Sequence, residues 1–324
     1  MILNILSWIS WLLGANPLDR VLRGLVGACG ISVLNHVMRI QLFIETYSVP
    51  EEDHKKKSYV DGRGWAAGRF AAAVRFLGLT GLLSVVGQRV ASLIVLEFSL
   101  RAILAAVTTR QGVLSGSIRQ LLVQCQFSLG CAFSCSLDFL QEGALHNTLN
   151  LLLAGGLSWF IADHSQRLWS HVVGLYPQHG SQHCCGICLS LSTHNNALLP
   201  FINRAVLLAF AMGTVASLSI VNHHYASDTD SVRFWTPLVI CYTMLMVYIQ
   251  EGQQRRPDGE AVLHTVVLRL GALLVLTLSV GWWVDVLHIL MALLGELICL
   301  LPCQDLLYTQ PVSQEEEETS FKTS

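Results

Sequence analysis

Apolar residues run along this chain in long blocks that are interrupted by short polar stretches. A helix needs about 20 mostly apolar residues to cross the hydrocarbon core of a bilayer, and most of these blocks approach that length. The pattern predicts an all-α fold, a polytopic transmembrane helix bundle with eight or nine spans. The predicted spans lie near residues 21–44, 65–86, 90–107, 120–140, 145–162, 198–221, 235–249, 262–284 and 286–301.

Two regions require a choice. A single helix over residues 76–107 would be about 48 Å long, which exceeds a hydrocarbon core of about 30 Å. We therefore place a turn at Gly87, Gln88 and Arg89 between two spans. The last segment, residues 286–301, is either a ninth span or a re-entrant segment, and we favour the ninth span.

The two ends of the chain differ from the apolar blocks. Residues 1–16 carry a helical apolar stripe opposite small polar residues, which predicts an amphipathic helix in the membrane interface. Residues 17–301 form a single predicted transmembrane domain. The tail, residues 302–324, contains the acidic run Glu315–Glu318 and is predicted to be disordered and solvated.

Composition supports a membrane protein and argues against other classes. Charged residues make up 13% of the chain and hydrophobic residues 52%, whereas about 25% of the residues in a soluble domain are charged. The net charge of −2 argues against a basic face that binds nucleic acid by counterion release. The expected partner is the lipid bilayer, and no nucleic acid is expected.

Lysine and arginine are concentrated in alternate loops of the predicted threading, at residues 45–64, 108–119 and 250–261. Cytoplasmic loops carry the excess of positive charge in membrane proteins, so these basic loops are predicted to be cytoplasmic. With nine spans the acidic tail would also be cytoplasmic, and with eight it would lie on the opposite side. The sequence does not specify which membrane holds the protein.

Glu97 and Arg101 are the most prominent polar residues at membrane depth. Glu97 lies within about 3 Å of the middle of its predicted span, and the i, i+4 spacing lets the two side chains pair on one helix face. They form either an ion or proton site or a structural ion pair, and we favour the pair. Arg75 is expected to face Glu97 or Asp138 across helices, and Arg269 to reach an interface with its long stem.

Other polar residues in the predicted spans suggest helix contacts. Asn35 and His36 are expected to hydrogen-bond to a neighbouring helix. Asp285 and Glu296 flank the last segment, where re-entrant geometry would expose them to water. Small residues allow close helix approach in lipid, either within the bundle or against another membrane protein. Those residues are Gly24, Gly27 and Gly30 in the first span, and Gly64, Gly68 and residues 71–73 in the second.

A loop predicted over residues 164–196 is rich in histidine and cysteine and contains one C-x-x-C motif. Two thiolates and two imidazoles could complete a tetrahedral zinc site from His183, Cys185, Cys188 and His194. Alternatively, Cys184, Cys185 and Cys188 are juxtamembrane candidates for palmitoylation. A single C-x-x-C is weak support for zinc, and reduced thiols are the state that we favour.

The common catalytic patterns do not occur in the sequence: there is no G-x-S-x-G, no H-E-x-x-H and no glycine-rich phosphate loop. We therefore predict neither an enzymatic activity nor a cofactor. The favoured function is a structural or interaction protein. The alternative is a solute or ion transporter with a polar site around Glu97 and Arg101.

Several short motifs are distinctive because they are not generic apolar runs. They are V-L-E-F-S-L-R at 95–101, S-L-G-C at 128–131, F-L-Q-E-G-A at 139–144, T-L-N-L-L-L at 148–153, C-G-I-C at 185–188, V-R-F-W-T-P-L at 232–238 and L-L-G-E-L at 293–297. On these motifs, from about Leu22 to Leu301, the chain resembles the transmembrane protein 82 family, and its acidic tail departs from that family. The resemblance implies a multi-pass membrane protein and supplies no activity or functional residue.

Overall fold

A computed structural model of the chain describes residues 17–47, 65–108, 121–142, 146–179, 195–224, 258–280 and 283–303. These ranges are helical and contain no strand, which confirms the all-α prediction for them. The helices are α1 Pro17–Tyr47, α2 Trp65–Val85, α3 Gln88–Thr108, α4 Gln126–Gln141, α5 Asn147–His179, α6 Asn195–His224, α7 Asp258–Val280 and α8 Trp283–Leu300, and a 3-10 turn follows at Leu301–Cys303.

The helix α4 lies at the centre of the described bundle. It packs against α1, α3, α6 and α8, and its N-terminal half is buried all round, from Gln126 to Ala132. A helix that is apolar or small on every side is suited to such a position. The long helix α1 packs on one side of α4 and also contacts α2 and α5, so the two helices together organise the core.

Glycines allow the backbones to approach closely around α1 and α4. A Cβ atom on Gly24 would lie 2.7 Å from the carbonyl oxygen of Thr80 in α2, and one on Gly27 would lie 2.9 Å from the carbonyl oxygen of Gly130 in α4. The predicted small-residue face of the first span is therefore confirmed. By contrast, residues 71–73 of α2 are exposed, so this part of the second predicted face is not used inside the described bundle.

The outer surfaces of the helices are apolar. Large side chains that lie mostly outside the core include Phe70, Leu77, Phe201, Leu208 and Trp283, which are between 68% and 82% exposed. Contiguous apolar patches of this kind are rare on soluble monomers. They are suited to a lipid environment, in which helices satisfy their own backbone hydrogen bonds.

The described residues contain fewer candidate membrane spans than the eight or nine predicted for the whole chain. Three helices there are long and apolar enough to span a bilayer, namely Pro17–Phe43, Pro200–His223 and Trp283–Leu300. The segments Phe70–Val85 and Gln88–Leu104 meet the same criteria only together, and they bend by 107° at the break between them. This pair is a broken span or a re-entrant loop and raises the count to four, so eight or nine spans are not confirmed.

The observed segments differ from the predicted spans in several places. The predicted span at 235–249 lies outside the described residues, as do the predicted interfacial helix at 1–16 and most of the acidic tail. The helix α4 has only 16 residues. The helix α5 continues beyond the predicted span end at residue 162 to His179 and has 33 residues, about 50 Å at 1.5 Å per residue. Residues 164–179 of the predicted loop 164–196 are therefore helical.

The close approach at Gly24 predicts a steric effect. Gly24→Ala should lower the thermal unfolding midpoint of the detergent-purified protein, because its Cβ would overlap the backbone of α2 and overpacking costs roughly 1–3 kcal/mol. Gly156→Ala is the matched control, since nothing lies within 4 Å of a Cβ at that position. It should leave the midpoint unchanged or raise it through better helix propensity. Equal midpoints for both variants would contradict the packing.

Candidate functional site

Three charged side chains from three different helices meet in the interior. The Nε atom of Arg269 in α7 lies 3.1 Å from Oε2 of Glu97 in α3, and its Nη2 atom contacts the carboxylate of Glu296 in α8. Arg269 and Glu97 are 0% exposed and Glu296 is 3% exposed. A buried charge is tolerated only when it is paired. This cluster, which we call the Arg269 cluster, therefore links α3, α7 and α8.

The partner of Glu97 differs from the one predicted. Its carboxylate contacts Arg269, whereas Nη1 of Arg101 donates a hydrogen bond of 2.7 Å to Oε1 of Gln124. The Arg101 guanidinium also lies over the ring of Phe98, with its Cζ atom 4.9 Å from the ring centroid. Gln124 precedes α4, so Arg101 and Glu97 are both buried yet connect α3 to different parts of the fold.

The prediction that Arg269 reaches an interface is also wrong, because its side chain is completely buried. Asp285 and Glu296 are not exposed to water either, with exposed fractions of 5% and 3%. Nη1 of Arg89 lies 3.6 Å from Oδ2 of Asp285, which connects the start of α3 to the start of α8. The carboxylates of the last described helix are therefore used in helix packing.

Arg75 was expected to face Glu97 or Asp138, but Arg75 and Asp138 lie at different sites. Asp138 in α4 is paired with Arg23 of α1. Arg23 and Asp138 also line a polar cavity of about 340 Å³, together with Gln88 and His223. Arg75 instead lines a larger cavity elsewhere in the bundle.

This larger cavity, which we call the α1–α5 cavity, has a volume of about 830 Å³ and is walled mainly by α1, α2 and α5. Its polar lining includes Asn35, His36, Arg39, Arg75, Gln126, Asp163 and Arg167. Nδ1 of His36 lies 3.0 Å from Oγ of Ser165, and Nδ2 of Asn35 lies 3.8 Å from Sγ of Cys303. The predicted hydrogen bonds from these two residues to other parts of the bundle are therefore confirmed.

A third cavity of about 450 Å³ lies on another face of α1, against α4, α5 and α6, and its lining is almost entirely apolar. Neither Glu97 nor Arg101 lines any of these three cavities. Glu97 and Arg101 thus lie apart from both polar cavities, whereas Gln88 at the start of α3 lines the smaller one.

The candidate zinc ligands His183, Cys185, Cys188 and His194 lie outside the described residues, and so does Cys184 of the lipidation set. Zinc binding and palmitoylation of this segment stay predictions. In the ranges that the structure describes, no group of three or more histidine, cysteine or acidic side chains is arranged to hold a metal ion.

A helical bundle with apolar outer faces and paired internal charges defines an integral membrane protein. The chain belongs to the family described as Transmembrane protein 82, which matches residues 18–322. The match includes most of the acidic tail, which the sequence resemblance had left out. No solved structure matches the chain.

The Arg269 cluster holds two carboxylates around one guanidinium, and this predicts unequal effects of substitution. Arg269→Met should destabilise the protein by about 3–5 kcal/mol, because it leaves buried carboxylates without this guanidinium. Glu97→Gln should have a smaller effect, because Arg269 retains Glu296. Thermal unfolding of the purified protein measures both.

Arg204→Met is the matched control, since Arg204 lies exposed on α6 and its replacement should leave the unfolding midpoint unchanged. If Arg269→Met were as stable as Arg204→Met, the cluster would not hold the three helices together.

Proposed function

We propose that this membrane protein is a structural or interaction protein with a fixed helical core. The observation that supports this proposal is the burial of the Arg269 cluster. An ion or proton site at membrane depth needs a path to water, and such residues normally face a cavity. Glu97 is instead fully buried and lines none of the three cavities.

The outer face of α2 supports an interaction role. Residues 70–74 form an exposed stretch in which three consecutive alanines are flanked by Phe70 and Val74, and Ala72 among them also lines the α1–α5 cavity. Small residues promote helix association in lipid because they let two backbones approach closely. We propose that a partner membrane helix packs along this stretch.

A solute or ion transporter is the second candidate function. The observation in its favour is the α1–α5 cavity, which combines polar groups with a volume of about 830 Å³. Ligand sites of small molecules commonly have volumes of about 300–1,000 Å³. In this alternative the solute would bind among the residues of α1, α2 and α5 rather than around Glu97 and Arg101.

A flux measurement separates the two candidates. Wild-type protein in proteoliposomes should conduct protons, sodium and potassium no faster than protein-free liposomes do. The reason is that the carboxylates of the Arg269 cluster are buried, so ions from the solution do not reach them. Glu97→Gln should give the same result. A pH-sensitive or ion-sensitive dye trapped in the vesicles reports the flux, and Arg204→Met controls for reconstitution. Flux in the wild type above that of protein-free liposomes would overturn the structural proposal and favour transport, and loss of that flux in Glu97→Gln would place the transport site at Glu97 rather than in the α1–α5 cavity.

We also propose that the basic loops at 45–64, 108–119 and 250–261 lie in the cytoplasm, as the distribution of lysine and arginine favours. The chain has no Asn-x-Ser/Thr sequon, so any N-glycosylation of a variant occurs at the sequon that was inserted. A sequon in a flexible linker within residues 51–63 should stay unmodified in cells. The same linker within residues 225–231 should be glycosylated, and the reverse pattern would contradict this orientation.

A further inference from the structure

The cavity of about 450 Å³ on the second face of α1, which we call the apolar cavity, is elongated. Its floor is one face of α1 and consists of Val26, Gly30, Val33, Val37 and Ile40. These residues follow one another at alternating intervals of four and three, which places them on one side of the helix. The floor is therefore about 21 Å long at 1.5 Å per residue, or about two thirds of a hydrocarbon core of about 30 Å.

The apolar cavity opens between α5 and α6. Both helices pack on α1, and the two make few contacts with each other. Ile161 of α5 and Phe201 of α6 line the cavity, yet they are 47% and 70% exposed. Ala205, one turn after Phe201, also lines the cavity and is exposed. Because the exposed apolar faces of a membrane-spanning bundle lie against lipid, this opening faces hydrocarbon chains rather than water.

Water does not suit this cavity. The described lining residues include no charged side chain, and the hydroxyl of Ser158 is the only one among them. A buried water molecule needs about 2–4 polar partners. An apolar space that stays empty loses the dispersion contacts of its walls. The cavity therefore favours an apolar occupant.

Size distinguishes a helix from a hydrocarbon chain as that occupant. A helix is about 10–12 Å across, so a segment as long as the floor would occupy roughly 1,600 Å³ or more. This is several times the cavity volume of about 450 Å³. A hydrocarbon chain is one carbon wide, and carbon atoms in contact are about 3.5–4.0 Å apart. A long, narrow space therefore suits a single chain and excludes a partner helix.

We propose that the apolar cavity holds one acyl chain of a bilayer phospholipid, which enters between α5 and α6 and lies along α1. The headgroup and the second chain stay outside the cavity. Since the contacts are made by the methylene groups of the chain, binding depends on chain length more than on the headgroup. This inference does not rest on the structural role proposed above, because it concerns residues outside the Arg269 cluster.

Native mass spectrometry of the full-length protein in detergent tests the proposal. Palmitoyl-oleoyl phosphatidylcholine and the phosphatidylglycerol with the same chains are added to delipidated protein, and dioctanoyl phosphatidylcholine and cholesterol are the comparison lipids. We expect one tightly bound long-chain phospholipid per protein with either headgroup. Dioctanoyl phosphatidylcholine should bind at least about tenfold more weakly, because its short chains leave much of the cavity unfilled.

Ala205→Phe should weaken the binding of long-chain phospholipid by about tenfold or more, because the added ring takes space that methylene groups would fill. Ala205→Leu should have a smaller effect. Ala211→Phe is the matched control, since Ala211 is also exposed on α6 and does not line the apolar cavity. Without added lipid, the unfolding midpoints of Ala205→Phe and Ala211→Phe should be equal, because both positions are exposed.

Crosslinking locates the bound chain. A phosphatidylcholine that carries a photoreactive diazirine at the end of one acyl chain should label Val33 or Val37 in the floor of the cavity. This labelling should be lost in Ala205→Phe and kept in Ala211→Phe.

Each outcome decides the proposal. Binding that depends on chain length, is weakened by Ala205→Phe and gives crosslinks to α1 supports it. A headgroup effect larger than the effect of chain length, tighter binding of cholesterol than of phospholipid, or no binding at all overturns it. Equal binding by Ala205→Phe and Ala211→Phe, or crosslinks confined to the exposed faces of α5 and α6, also overturns it, because the lipid would then lie on the outer surface alone.

Discussion

The buried guanidinium of Arg269 places the strongest constraint on this structure. A charge in a low-dielectric interior is stable only beside opposite charge, and here Glu97 and Glu296 supply it from two other helices. The relative positions of α3, α7 and α8 are therefore fixed at this point. The apolar packing of the surrounding helices has to accommodate that arrangement, since a small displacement would separate buried charges.

Close packing around α4 divides the molecule into regions with different properties. On the α3 side, Glu97 pairs with Arg269, and Glu97 lines none of the three cavities. On the α1 side, the helix contacts at Gly24 and Gly27 bring backbones together, while larger spaces remain between α1 and α5. The α1–α5 cavity and the apolar cavity of about 450 Å³ lie on different faces of α1. One long helix thus separates two chemically distinct spaces.

Structural features that depend on the local pattern of residues could be predicted from the sequence. Long apolar blocks predicted helices, glycine spacing predicted the contact face of α1, and the position of His36 predicted its hydrogen bond to another helix. Contacts between residues far apart in the chain could not be predicted from the sequence. The choice of Arg269 over Arg101 as the partner of Glu97 depends on where α7 packs, which no local spacing contains. The span count is not confirmed for a similar reason, because apolar length alone does not distinguish two crossings from a broken span or re-entrant loop with the 107° bend between α2 and α3.

The Arg269 cluster also has a consequence for how the protein is made. Glu97 is synthesised early, whereas Arg269 and Glu296 emerge only near the end of the chain. Until α7 has been synthesised, the carboxyl group of Glu97 lacks the guanidinium that pairs with it in the finished bundle. A nascent chain that stops before α7 would expose that unpaired charge in the bilayer.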